Sequence, residues 1–572
     1  MNSKSRVQMN KTARLTTTFS IVMALTVPAF SAFAQTGAPQ SPEATLIKAS
    51  IAGVSSSSRA LVQKLYADRA FSPIFVVNGQ LSQSAMDLRN AVMTLAPTHG
   101  LHSADYWTSA VEAQFTQGVN ASTAGALEME LAKIYVDLAT HISIGRLNPQ
   151  SISKDIKYER RALDASALAS GVQSEGITNM LSRIAPQHSL YKTQQQILQR
   201  LQAAQANGGF PALAPVKATL KLGVANPVVS QIKERLRILG YSITNTSTTF
   251  DQELLTAIQD LQANNQGETT KEISAGSKLT WENLGTSSEK RIQQAETNLE
   301  KLRWLPQRLE ARHIFVNLAT SHLYVTDPNL PYQFEMLRDM KIINGRPERK
   351  TPSMRDSTKS IVLNPTWGVP TTVFREDKVP MIREQLNTGG QYALQQWFNS
   401  KRFTVMDDSF SKYIDPLSID WINLNPKAAN FYIVQQPGYD NALGVAKVML
   451  TNPWSIYMHD TNERNLFANN LRSLSSGCMR MEFPRDMAAY LLQGTKWDRY
   501  AIDAFVPNYT GETRDKETWV TIPAQNKIPV YTLHLTANIG NDGVIRFTRD
   551  MYSQNAAIIS ALSSAGFNRA AR

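Results

Sequence analysis

The stretch His459–Met481, "HDTNERNLFANNLRSLSSGCMRM", contains Cys478, the one cysteine in a chain of 572 residues. A single thiol has no partner for an internal disulfide, so it is an inert buried side chain, half of an intermolecular bridge, or a reactive nucleophile. Gly477 precedes it and permits a turn whose Gly477 and Cys478 N–H groups converge, as an oxyanion hole requires. His459 ends a predicted strand, Ile456–His459, and a polar loop joins it to the cysteine. The stretch therefore indicates a nucleophile and its base.

The residues around this pair alternate as on strands. Arg480 would share a face with Cys478, where a guanidinium can bind a carboxylate and lower the thiol pKa. Tyr457 would share a face with His459, whereas Asp460 would point the opposite way, so we expect a backbone carbonyl to orient the imidazole. A structural histidine and a buried, inert cysteine remain the alternatives. Scattered histidines without H-E-x-x-H predict no metal site, and the absence of G-x-S-x-G argues against a serine hydrolase.

The N-terminus resembles an export signal. Four cations precede an apolar stretch, Phe19–Phe30, and then Ala32-Phe33-Ala34. We predict a signal peptide at residues 1–34, cut after Ala34, and hence a periplasmic or cell-envelope protein; an uncut anchor in the inner membrane is the alternative. The formal charge is +12, but no run of five cations and no nucleic-acid motif appears, so we expect a diffusely basic surface and no nucleic-acid partner.

The first part of the chain reads as a tether followed by helices. Residues 35–58 are small and polar, which predicts a flexible tether. Residues 59–206 show helical periodicity and no constellation of chemically active residues, which predicts a helical scaffold domain. Its clearest signal is an apolar stripe ended by Gly145 and formed by Leu131, Ile134, Leu138 and Ile142.

A compact helical unit is predicted at residues 207–286. Its segments "LKLGVANPVVSQIKERLRILGY" and "FDQELLTAIQDLQ" predict two amphipathic helices, the second capped by Asp251. This spacing resembles the peptidoglycan-binding domain type 1, a three-helix module. The glycine-rich ending of that family is reduced here to Gly276 and Thr280, so the fold is predicted while binding of glycan stays open.

The remainder is predicted to be mostly β. A further domain, which would hold the catalytic stretch, is predicted at residues 287–510. It begins with a helix at Ser288–Leu305, and strand-like periodicity starts at His313. Short helices and loops interrupt this pattern at about 371–426, and we interpret them as an inserted, lid-like subdomain. Residues 511–572 are predicted to form a C-terminal hairpin, turning at residues 541–543, and a helix. The fold class is therefore multidomain α+β.

"YMHDTNERNLFANNLRSLSSGCMRM" resembles the signature of the L,D-transpeptidases with a YkuD-type catalytic domain: a His, a polar spacer, then S-x-G-C followed by an apolar residue and Arg. The order and spacing of other segments resemble the large multidomain YcbB-type enzymes of this family. These segments are "IFVNLATSHLYV" (Ile314–Val325), "INGRPERKTPSM" (Ile343–Met354) and "VLNPTWGVP" (Val362–Pro370). Smaller members have His where this chain has Ser476, which leaves His459 as the imidazole nearest the thiol in the sequence.

The resemblance implies a role for each matching residue. Cys478 would be the nucleophile, His459 the general base and acid, Gly477 an oxyanion donor through its backbone N–H, and Arg480 the residue that holds substrate charge. The other predicted substrate-binding residues, with core packing as the alternative for the two aromatic ones, are Ser475, Ser476, Tyr457 and Trp367.

The implied reaction transfers the acyl group of a diaminopimelate-containing tetrapeptide stem to the side-chain amine of a second diaminopimelate, which makes a 3→3 cross-link in peptidoglycan. The implied partners are stem peptides and glycan, no cofactor is expected, and carbapenems should acylate the cysteine. The alternatives are an L,D-carboxypeptidase, an enzyme that attaches an envelope protein to peptidoglycan, and a wall-binding scaffold without activity.

Overall fold

The computed structural model describes residues 42–120, 122–214, 216–506 and 516–567. The predicted signal peptide, residues 1–34, lies outside them. Within the described ranges, no helix combines the length and the apolar character needed to cross a membrane.

The N-terminal region is a helical domain. Its elements are α1 (Pro42–Ser50), α2 (Ser56–Ala67), β1 (Val76–Val77), β2 (Gln80–Leu81), α3 (Gln83–Asn90), α4 (Ser109–Thr116), α5 (Ala124–Ile144), α6 (Pro149–Ile152), α7 (Ala165–Gln173), α8 (Ile177–Ile184) and α9 (Ser189–Ala206). The predicted apolar stripe lies on α5 and is buried, and Gly145 ends the helix at φ +88°. Glu128 of α5 accepts the N–H groups of Ile74, Phe75 and Val76 at 2.6, 2.9 and 2.6 Å, which fixes the loop before β1.

The predicted tether at residues 35–58 is wrong over its described part. Residues 42–58 instead form α1, a short 3-10 turn and the start of α2. Ile47, Ile51 and Val54 are each 5% exposed and belong to the core of the scaffold. All three side chains pack into that core, so apolar burial outweighs the small, polar composition that suggested a linker.

The second unit has the predicted helices. Its elements are β3 (Leu220–Lys221), α10 (Pro227–Leu239), α11 (Gln252–Asn264), β4 (Glu272–Ile273) and α12 (Lys278–Gly285). Asp251 caps α11 by accepting the N–H of Leu254 at 3.0 Å, and Gly240 ends α10 in the left-handed region. The helical architecture is confirmed, and binding of glycan stays a prediction.

Helix α13 (Ser288–Leu302), predicted as the start of the catalytic domain, instead belongs to the joint between domains. It packs on α9, and its Leu299 and Leu302 share one core with the second unit and the C-terminal hairpin. Glu300 is fully buried, pairs with Arg303 at 3.1 Å and accepts the backbone N–H of Arg146 at 2.7 Å. A buried carboxylate with these partners ties the scaffold to the rest of the chain.

The remaining elements form a large sheet, a smaller sheet and a terminal hairpin. They are β5 (His313–Asn317), β6 (His322–Thr326), β7 (Met340–Gly345), β8 (Met354–Leu363), β9 (Trp367–Gly368), α14 (Thr371–Val373), α15 (Val379–Ser400), β10 (Phe403–Asp407), β11 (Tyr413–Ile414), β12 (Phe431–Gln435), β13 (Ala446–Leu450), β14 (Met458–His459), β15 (Ser473–Ser475), β16 (Met479–Met481), α16 (Pro484–Leu491), α17 (Arg499–Phe505), β17 (Thr518–Thr521), β18 (Pro529–Leu533), β19 (Ala537–Ile539), β20 (Ile545–Phe547) and α18 (Gln554–Ser564).

The large sheet has the order β13-β14-β16-β7-β6-β5-β18-β8-β17, and β8 also pairs with β13. The first half of β8 pairs with β18 and its second half with β13 and β17, so the sheet closes on itself around an apolar core. Strands β17 and β18 come from the predicted C-terminal extension, residues 511–572. The boundary at residue 510 is therefore wrong, because the large sheet needs both strands; the predicted hairpin is present as β19–β20.

The insertion is larger than predicted. Its sheet has the order β11-β10-β12-β9 and spans residues 367–435, instead of about 371–426. Strand β12, which lies beyond the predicted insertion, belongs to this sheet. The predicted short helices are present, because α15 consists of two helical segments separated by a non-helical break at Gly389-Gly390. Aromatic residues such as Trp397, Phe398 and Trp421 form a separate core. The insertion is thus a subdomain with its own apolar centre.

Candidate active site

Two neighbouring parallel strands bring four predicted site residues onto one face of the sheet. Strands β14 and β16 pair in register, with His459 opposite Arg480. Tyr457 and Cys478 precede these partners by two residues each, and the Met479 N–H donates to the Tyr457 carbonyl at 3.1 Å. Side chains two residues apart on a strand point the same way, so all four share a face. The intervening methionines are fully buried in the core on the other face.

Hydrogen bonds hold the turn that carries the thiol. Gly477 has φ +117°, a conformation that glycine adopts without strain. Its carbonyl accepts from Thr351 Oγ1 at 2.7 Å, and Ser475 Oγ donates to the Cys478 carbonyl at 2.6 Å. The Gly477 N–H, predicted as an oxyanion donor, donates instead to Ser475 Oγ at 3.2 Å. Within the described ranges the Cys478 N–H donates to no protein acceptor, so it is the donor left for an oxyanion.

A hydrogen-bonded chain connects this turn to the C-terminal segment. Thr351, which is fully buried, also accepts the Gly345 N–H on Oγ1 at 2.9 Å. Tyr552, which follows β20, donates its hydroxyl to the Gly345 carbonyl at 2.5 Å and accepts from Asn344 Nδ2 at 2.8 Å. The position of Gly477 therefore depends on residues more than two hundred positions apart in sequence.

The surroundings of Cys478 favour the neutral thiol. Its Sγ lies 3.6 Å from the carbonyl oxygen of Ser455, a residue with φ +57°, which is uncommon for a side chain other than glycine. Burial raises the pKa of the thiol, while the donors of Tyr457, the Lys447 ammonium and the Arg480 guanidinium lower it without overcoming burial. Reaction at a carbonyl therefore requires the thiol proton to move to a base.

The imidazole of His459 is also neutral. Burial lowers its pKa to about 3; Arg480 adds to that shift, and the carbonyl of Asp460 opposes it. The Asp460 carboxylate points away, since it accepts the Val445 N–H and pairs with Arg464, each at 2.9 Å. His459 Nδ1 is buried without a hydrogen bond in the described part of the chain. A neutral imidazole can accept a proton, as general-base chemistry needs.

Two cations flank this face. Arg480, predicted to hold substrate charge, pairs with Glu463 at 2.5 Å. Lys447 lies opposite His459 in the β13–β14 register, with its ammonium 3.9 Å from the centroid of the Tyr457 ring. Lys447 was not predicted as a site residue, because the pairing of β13 with β14 has no local signal in the sequence.

A cleft of about 370 Å³ lies between the sheet and the insertion. The predicted site residues that line it are Trp367, Tyr457, His459, Ser475, Ser476, Cys478 and Arg480. Arg349, also missed, joins its two sides, because it pairs with Glu376 and Asp377 of the insertion at 2.6 Å each and donates to Ser476 Oγ at 2.9 Å. The predicted residues thus meet at one cleft, and their roles stay predictions.

Two family models and a curated relative match parts of the chain. Residues 311–498 match the family model of the L,D-transpeptidase catalytic domain, YkuD, and residues 60–198 match the model of a scaffold domain. A protein of Haemophilus influenzae described as a putative L,D-transpeptidase is 29% identical over 277 residues, which are 48% of this chain. The chain spans about half of that relative, 51% of its length.

The solved structures that align with this chain have low sequence identity to it. L,D-transpeptidase 3 of Mycobacterium tuberculosis, crystallised with a faropenem-derived adduct, aligns with 39% of this chain and 60% of its own at 13% identity and a TM-score of 0.18. An L,D-transpeptidase of Xylanimonas cellulosilytica aligns with 56% of this chain and all of its own at 8% identity and a TM-score of 0.15. TM-scores this low carry no weight, so the similarity rests on the sequence matches. Residues 311–498 are thus similar to the L,D-transpeptidase catalytic domain, YkuD, and residues 60–198 are similar to a scaffold domain.

Proposed function

We propose that this protein is an exported peptidoglycan L,D-transpeptidase with Cys478 as its nucleophile. The observation that carries the proposal is the shared face of β14 and β16, where Tyr457, His459, Cys478 and Arg480 line one cleft. A thiol and a neutral imidazole on one face of the sheet, with an uncommitted N–H at the thiol's turn, can support acyl transfer.

The reaction begins with a proton transfer. His459 takes the proton of the thiol as Cys478 Sγ attacks the carbonyl of the third stem residue, diaminopimelate, and the Cys478 N–H stabilises the oxyanion. The C–N bond to D-Ala then breaks, and the imidazolium returns its proton to the leaving amine. This step leaves a thioester between Cys478 and the stem.

The second half repeats these steps with another nucleophile. The side-chain amine of diaminopimelate on a second stem attacks the thioester, His459 accepts the amine's excess proton, and the thiolate leaves and is reprotonated. The product is a 3→3 cross-link. Water or a protein lysine in the amine's place would give an L,D-carboxypeptidase or attachment of an envelope protein.

The insertion supports the choice of an amine over water. It forms one wall of the cleft, and Arg349 ties it to Ser476 beside the nucleophile. A wall that excludes bulk water protects the thioester until the amine arrives. We therefore assign the insertion the role of a lid, and its deletion should raise hydrolysis relative to cross-linking.

The test is digestion of purified muropeptides by the wild-type protein and by Cys478→Ala, followed by mass spectrometry. The wild type should produce 3→3 dimers and release D-Ala, and Cys478→Ala should do neither. Trimming to tripeptides without dimers would indicate the carboxypeptidase, and identical products from both proteins would leave only a wall-binding scaffold.

A second test uses inhibitors. Acylation of Cys478 by a carbapenem should add the inhibitor's mass to the wild-type protein and none to Cys478→Ala. Adduct formation elsewhere in the chain would argue against Cys478 as the nucleophile.

A further inference from the structure

Some cationic side chains of the cleft have an ion-pair partner in the protein and others do not. Two arginines that line it are paired, Arg346 with Asp377 at 3.4 Å and Arg480 with Glu463 at 2.5 Å. Those pairs leave both guanidiniums partly neutralised by the protein itself. A substrate carboxylate that bound Arg480 would have to displace or share Glu463.

Two lysines from the insertion also line the cleft, Lys378 and Lys401. Within the part of the chain that the structure describes, neither side chain has an ion pair or a hydrogen bond. Lys401 is exposed, whereas Lys378 is half-buried. An unpaired ammonium that is partly withdrawn from water is costly unless something compensates it.

Aromatic rings supply part of that compensation. The Lys378 ammonium lies 5.4 Å from the centroid of Trp367 and 5.2 Å from that of Phe403, within the range of cation–π contacts. Burial lowers the pKa of Lys378 and Lys401 lowers it further, whereas Asp377 and Glu463, which pair with arginines, raise it. Asp377 is already bound by arginines, so the rings hold Lys378 in place and leave its charge available to a ligand.

We propose that Lys378, held between Trp367 and Phe403, is the cation of a carboxylate-binding subsite on the insertion side of the cleft. The subsite deepens the proposed function and rests on it for the identity of the ligand. The side-chain amine of diaminopimelate shares its carbon with a carboxylate, so an attacking stem carries an anion beside its nucleophile. Lys378 would bind that carboxylate and orient the amine toward Cys478 on the opposite wall.

This subsite would give the insertion a second role besides excluding water, namely the recognition of a carboxylate. A lysine ammonium is a compact point charge that suits a single carboxylate. Because Lys378 and its two rings all belong to the insertion, the wall would select stems with an acidic third residue over those that bear an amine alone.

Binding without turnover tests the subsite. The protein used is the Cys478→Ala variant, and calorimetry measures its affinity for two tetrapeptide stems. In the first, the side-chain carboxylate of diaminopimelate is unmodified; in the second, it is converted to a carboxamide. With Lys378 intact, the protein should bind the peptide that has the free carboxylate roughly tenfold more tightly than the carboxamide, as expected for a charge-assisted hydrogen bond. Lys378→Met should bind both peptides equally, and Lys378→Arg should retain part of the preference.

Lys412→Met is the matched control, because Lys412 is an exposed lysine of the same subdomain that does not line the cleft. It should keep the full preference for the acid. Two results would overturn the subsite. One is equal binding of both peptides by the protein with Lys378 intact, and the other is a preference for the carboxylate peptide that persists in Lys378→Met. Failure of the transpeptidase proposal is separate: it would appear as missing dimers in the muropeptide digest while the preference for the acid persisted.

Discussion

Thr351→Val probes the hydrogen bonds that hold the nucleophile's turn. Valine has nearly the same shape as threonine but neither donates nor accepts, so the substitution removes the bonds to the Gly477 carbonyl (2.7 Å) and from the Gly345 N–H (2.9 Å). All three residues are buried. Each buried polar group left without a partner costs about 1–3 kcal/mol, so the free energy of unfolding should fall by about 2–6 kcal/mol.

The effect on catalysis should exceed the effect on folding. Gly477 precedes Cys478, and a displacement of about 1 Å at a reacting group can cost about 10²-fold in rate. We expect the rate of 3→3 dimer formation to fall by about 10- to 100-fold at a temperature where the variant is fully folded. Denaturant unfolding followed by circular dichroism measures the stability, and mass spectrometry of the digests measures the rate.

Thr358→Val is the matched control. Thr358 is also fully buried, and its Oγ1 accepts the Ile528 N–H at 3.0 Å, far from the cysteine in the register of β8. It should cost about 1–3 kcal/mol and leave the rate of the folded enzyme unchanged. Full activity in Thr351→Val, or an equal loss in both variants, would refute the positioning role of Thr351.

Three further predictions concern other parts of the molecule. Because burial raises the pKa of the Cys478 thiol, its alkylation by a small neutral reagent should accelerate by nearly tenfold per pH unit from pH 6 to pH 8, and a plateau near neutrality would indicate a preformed thiolate. Arg349→Ala, which frees the insertion from Ser476, should raise the ratio of tripeptides to dimers in the muropeptide digest; an unchanged ratio would argue against the lid. Glu128→Ala leaves three backbone N–H groups without their acceptor, so thermal unfolding of the scaffold should show a loss of about 3 kcal/mol or more, whereas a shift within about 0.5 kcal/mol would contradict the role given to Glu128.

Local patterns in the sequence predicted the elements with strong periodicity. The buried stripe of α5, the cap of α11 at Asp251 and the hairpin β19–β20 were readable because helix period, capping chemistry and turn residues act over a few positions. The same local logic failed for residues 42–58. Their composition resembles a linker, and only contact with the scaffold core makes a helix favourable there.

The domain boundaries failed for a related reason. Strands β17 and β18 lie far along the chain from β8, and no local signal shows that they complete its sheet. The insertion was located by the lapse of strand periodicity, but its edges were misplaced because β9 and β12 pair with each other across more than sixty residues.

For the site, the sequence by itself determined which residue types stand together in one stretch. The spacing of His459, Gly477, Cys478 and Arg480 indicated a nucleophile and its base, and the family resemblance implied the reaction. What only the tertiary structure decided is the environment of that chemistry: a thiol and an imidazole kept neutral by burial, and a turn fixed by Thr351. It also decided that the insertion supplies Lys378 to the opposite wall of the cleft. The physical reason is that residue identity travels with the sequence, whereas burial, strand register and the pairing of charges arise only when distant segments pack together.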